Sequence, residues 1–70
     1  MRYFFHVVGD GSSYNDDDGM EFPTNEDAAA HGAALAQEMA YDGSLDGFWI
    51  SITNASGDEI GRIPIAVSNP

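Results

Sequence analysis

The chain contains no cysteine and no lysine, and its only basic side chains are Arg2 and Arg62. Without cysteine, a disulfide framework and a thiolate metal site are both excluded. With two basic residues against twelve acidic ones the net charge is −10. That balance argues against nucleic-acid or anionic-membrane binding, both of which depend on clustered Lys and Arg. Long apolar runs are missing as well. The longest, Tyr3 to Val8, is too short to span a bilayer and has neither the basic leader nor the small-residue cleavage site of a signal peptide, so the expected location is cytoplasmic. Seventy residues make one domain, which hides only about 60% of the surface that its unfolded chain exposes. Oligomerisation is the remaining support for so small a core.

What is present is enough to fold, because 43% of the residues are hydrophobic and 11% aromatic, unlike an acidic disordered tail. The segment Thr24 to Asp42 is the one stretch long and periodic enough for a sizeable helix. Ala28, Gly32, Leu35, Ala36 and Met39 recur at helical spacing and form one stripe facing a core. Thr24 is a good N-cap, Asp27 stands in a capping-box-like position, and Glu26 and Asp27 complement the positive end of the helix dipole. Pro23 blocks extension backwards, and Asp42-Gly43 provides the stop. Gly32 costs about 1 kcal/mol relative to Ala in a helix interior, a cost that makes sense where the helix lies close to a sheet.

The flanking segments read as strands. Alternation in RYFFHVVGDG puts Tyr3, Phe5 and Val7 on one face and Phe4, His6 and Val8 on the other, ending in the turn Gly9-Asp10-Gly11. Residues 12 to 19 are a polar, acidic loop, and Met20 to Phe22 forms a short strand returning beside the first. Leu45 plugs the end of the core. Phe48 to Thr53 alternates, with Phe48, Ile50 and Ile52 inward and Trp49, Ser51 and Thr53 outward. A type I turn at Asn54-Ala55-Ser56-Gly57, with Gly57 left-handed, leads into a fourth strand, Glu59 to Val67, with Ile63, Ile65 and Val67 on one face. Gly61 and Pro64 mark this strand as an edge or a bulge. The expected fold is two-layer α+β, an antiparallel sheet of about four strands (β-β-α-β-β) with one helix packed on one face, a single domain over residues 1–70.

Arg2-Tyr3-Phe4-Phe5-His6, Asp18-Gly19-Met20-Glu21-Phe22-Pro23, the Ala-rich helix, Phe48-Trp49-Ile50-Ser51-Ile52, and Gly57 followed by Ile63-Pro64 together resemble a group of short bacterial proteins, the DUF6894-like domain of unknown function. The resemblance spans nearly the whole chain and implies a stand-alone bacterial cytoplasmic domain; it brings no activity, cofactor or catalytic residue. Ala28, Ala29 and Ala30 stand where such proteins carry more Arg. A looser, fold-level similarity is to HicB-type antitoxins.

The acidic loop Asn15-Asp16-Asp17-Asp18-Gly19 reads first as a solvated hairpin loop, since Asp and Gly are ordinary turn residues. Asp16, Asp17 and Asp18 are weak candidates for a divalent cation, although the EF-hand spacing fails at Tyr14 and Asn25. His6 reads as a sheet-face or interface histidine hydrogen-bonded to a carboxylate, and His31 as helix surface; no third ligand is spaced to make them a metal pair. No serine stands in a nucleophile elbow, and the chain is too short to enclose a pocket, so no enzyme, catalytic residue or cofactor is expected. Phe4, His6, Val8 and Trp49 should share the sheet face that the helix cannot reach, forming an apolar patch of the kind that marks protein interfaces. A homodimer through that face is the first expectation. An antitoxin-like inhibitor masking a basic protein is the second, using the acidic loop together with Glu26, Asp27, Glu38 and Asp42. A weak cation-binding loop is the third.

Overall fold

The computed structural model describes residues 1–41, 45 and 47–65. Its elements are β1 (Arg2–Gly9), β2 (Ser12–Tyr14), β3 (Met20–Glu21), α1 (Asn25–Met39), β4 (Trp49–Asn54) and β5 (Glu59–Pro64). The strands form one antiparallel sheet in the order β2-β1-β4-β5, with β3 also paired to β1. This is the expected α+β architecture, with one more strand than the sequence suggests.

The extra strand lies in the segment read as loop. Ser12–Tyr14 is exposed throughout and has no apolar alternation. It pairs because Gly11, at φ 74°, turns the chain tightly back along β1, with Gly9 opposite Ser12 and Val7 opposite Tyr14. The strand β3 returns at the other end of β1, with Arg2 opposite Glu21 and Tyr3 opposite Met20. One edge of β1 is thus covered at both ends, and the acidic loop crosses between them at Phe4 to His6.

Alternation sorts the two sheet faces as the sequence implies. Tyr3, Phe5, Ile50, Ile52 and Ile65 are buried with Ala28, Ala36 and Ala40. Val7, Leu35, Met39, Leu45, Phe48, Ile60 and Ile63 pack around them. Gly32 is buried because a Cβ there would lie 2.6 Å from Ile52 Cδ1; its absence lets α1 settle onto β4 and β5. Gly9 does the same for an aromatic ring, since a Cβ at Gly9 would fall 2.3 Å from a Phe48 ring carbon. The sequence shows Gly9 only as the start of a turn, whereas the fold uses it as the floor under Phe48.

The helix begins as expected. Thr24 adopts extended dihedrals of −140° and 161° and its hydroxyl accepts the Asp27 amide at 3.1 Å, satisfying one of the first-turn donors. The buried Tyr3 hydroxyl donates to Asn25 Oδ1 at 2.6 Å, joining strand to helix start. The helix closes at Ala40, before the expected stop; Asp42-Gly43 lies outside the described residues, as does Val67. Gly57 is left-handed at φ 89° and its amide donates to the Asn54 carbonyl at 3.0 Å, the turn read from the sequence. Gly61 and Pro64 do sit on an edge strand, and the register shifts between Ile52 and Thr53, where the extra residue Ile60 turns onto the core. Among the described residues no helix is long and apolar enough to cross a membrane.

Candidate functional site

The face of the sheet away from α1 is built by strand register. Val8 lies opposite Trp49, His6 opposite Ser51 and Phe4 opposite Thr53. The next strand continues the rows, with Trp49 opposite Pro64, Ser51 opposite Arg62 and Thr53 opposite Glu59. Phe4, His6, Val8 and Trp49 therefore do share one face, and all four are half-buried.

The face is more polar than the expected apolar patch. The Arg62 guanidinium stands 5.3 Å from the Trp49 ring centroid, a cation–π contact worth about 0.5–1 kcal/mol where exposed. Arg62 also lies 3.4 Å from Glu59 Oε1, and the Ser51 hydroxyl donates to Glu59 Oε2 at 2.5 Å. The Ser51 bond, against slight desolvation and with help from Arg62, holds the Glu59 carboxyl below its ordinary range. His6 stacks on Phe4 with centroids 6.4 Å apart and planes 8° from parallel. What results is an apolar pair, Val8 and Trp49, separated from Phe4 by the polar row of His6, Ser51 and Arg62. Arg62 over Trp49 and Ser51 on Glu59 were not legible in the sequence, because the register shift decides which β5 residue reaches which β4 residue.

His6 departs from the sequence expectation in its partner, which is an amide rather than a carboxylate. Its Nδ1 accepts the Asp16 amide at 3.1 Å, so the ring proton is on Nε2, which donates to Thr53 Oγ1 at 3.1 Å. The Asp16 carboxylate turns instead to the backbone. Oδ1 accepts the amides of Asp18 and Gly19, each at 3.1 Å, and Oδ2 accepts the Phe5 amide at 3.2 Å. Asp16 thereby supplies the acceptor that a strand would supply in the gap between β2 and β3. Partial burial pushes its carboxyl up, but the amides of Gly19, Phe5 and Asp18, with His6 beside them, outweigh that and hold it below the ordinary carboxylate range.

This use of Asp16 bears on the cation reading. Its two oxygens face N–H donors, whereas Asp17 and Asp18 are exposed. Arg2 donates to the Asp18 carbonyl at 2.7 Å, placing a cation against the same loop. Among the described residues no three His, Cys, Asp or Glu side chains are placed to hold a metal ion. His31 is likewise not simple helix surface. Its ring is half-buried at 5.1 Å from both Phe5 and Phe22. It belongs to the helix side of the sheet and His6 to the other, so the two do not converge.

A family model described as a domain of unknown function, DUF6894, matches residues 2–66. No curated protein and no solved structure matches the chain.

Proposed function

Because the chain belongs to the DUF6894 family, a domain of unknown function that covers nearly all of it, we propose its role from its surfaces: a non-enzymatic, cytoplasmic interaction module that pairs with a second copy through the sheet face opposite α1. The observation that carries this is the row in which Val8 meets Trp49, on the same face as His6 and Phe4, the face that α1 leaves uncovered. Burying that face compensates for a small core. Charge favours the same face, since among the described strand residues its acids Glu59 and Glu21 are matched by Arg62 and Arg2, which offsets locally the repulsion that a net charge of −10 imposes elsewhere. Sedimentation equilibrium at micromolar concentration tests this: a dimer that Trp49→Ala weakens is expected, and a wild-type monomer sinks the proposal.

A second reading, masking of a basic protein, is favoured by the placement of the arginines. Arg2 lies 3.4 Å from Glu21 and Arg62 3.4 Å from Glu59, while Asp17 and Asp18 in the loop and Glu26 and Asp27 at the start of α1 are exposed. Such binding weakens steeply with salt. A pull-down recovering no basic protein counts against it.

A further inference from the structure

Outside the apolar pair, the contact with most chemistry is the one between His6 and the acidic loop. The Asp16 amide is held only by an unprotonated Nδ1, because an imidazolium has no lone pair to accept with. The Asp16 carboxylate is committed at both oxygens to the amides of Phe5, Asp18 and Gly19. Protonated His6 therefore cannot keep the Asp16 amide, because two N–H groups would then face each other across 3.1 Å.

We propose that His6 and Asp16 form a proton-operated latch: residues 15–19 dock on the gap in the β1 edge while His6 is neutral and repack when Nδ1 takes a proton. The proton comes from solvent, and no other bond forms or breaks covalently. Histidine is the side-chain type whose unperturbed titration falls between pH 5 and 8, which sets the range of the test. The charged groups around it are few. Asp17 and Asp18 lie in the loop itself; Arg2 of β1 holds the Asp18 carbonyl and pairs with Glu21 of β3. Tyr14 is the titratable residue of β2. Across β4, Arg62 stands in the same row as His6, with Glu59 beside it. His31 faces Phe5 from the other side of the sheet and reports separately. The inference does not depend on self-association, since the latch closes within one chain.

The test is a backbone-amide NMR titration of the intact chain from pH 8 to 5, with the His6 and His31 ring signals followed in parallel. The amides of Phe5, Asp16, Asp18 and Gly19 should shift together with the His6 midpoint. Hydrogen-exchange protection of the Asp16 amide should fall by roughly fivefold across it, the scale of one lost neutral hydrogen bond. In His6→Phe, which retains a ring on Phe4 but no acceptor, the loop amides should stay flat. Loop amides that do not move while His6 titrates in the wild type overturn the latch, and so does a loop titration that persists in His6→Phe.

Discussion

Two positions, Gly9 and Asp16, show how much can rest on a single residue in a chain this small. Gly9 exists so that Phe48 can lie on the backbone of β1, a ring carbon occupying the space of its missing Cβ. Gly9→Ala should cost about 2 kcal/mol, as overpacked cores do, and lower the urea midpoint with little change in the slope of the transition. Asp16 works through hydrogen bonds. Its folded pKa is depressed, so its contribution is present above the unfolded value, near 4 for an ordinary Asp, and is lost as pH falls through the folded value. Asp16→Asn offers one oxygen where the carboxylate offers two and puts a donor near an amide. It should destabilise the domain by about 1–2 kcal/mol at neutral pH. The gap between variant and wild type should narrow in acid, below the ordinary carboxylate range, as denaturation followed at a series of pH values would show.

At the scale of elements, α1 is a weak helix on its own. It carries no basic residue in its last turn and only small side chains among its buried positions Ala28, Gly32 and Ala36. Its stability comes from packing, from the Tyr3–Asn25 hydrogen bond and from the Thr24 cap. Thr24→Ala should cost about 1 kcal/mol, seen as a fall in melting temperature of about 4–8 °C for a domain of this size. The strands divide differently. The pair β1 and β4 is specified by its own alternation, since slipping the register by one residue would bring Trp49 and Ser51 onto the core. By contrast β2 and β3 carry no inward apolar pattern of their own, all their residues being exposed, and exist through pairing to β1. For β2 nothing but that pairing marks a strand, so alternation predicts about four strands where the described residues form five.

For the whole molecule, charge separates the two functional readings. A net charge of −10 makes two copies repel at long range, so the proposed dimer should tighten as salt rises from 20 to 200 mM, a range over which the screening length falls from roughly 20 to 7 Å. Association with a basic protein should weaken over the same range. Sedimentation at both salt levels reads the first, and salt elution of captured protein reads the second. A dimer that loosens with salt would argue that the sheet face is not where the copies meet.

The amino-acid sequence by itself determined the features whose causes lie within a few residues. These are the helix and its Thr24 cap, the sorting of Tyr3 and Phe5 from Phe4 and His6, the Gly57 turn, and the net acidity. Each follows from local periodicity, a capping side chain or a backbone requirement. The tertiary structure alone decided which strands are neighbours, where β5 slips by one residue, and hence that Arg62 covers Trp49. It also decided that Asp16, indistinguishable in sequence from Asp17 and Asp18, is the one that fills the gap in β1 and meets His6. Nothing local marks it, because its role is set by the unpaired Phe5 amide and the His6 ring nitrogen, which come within reach only when the chain has closed on itself.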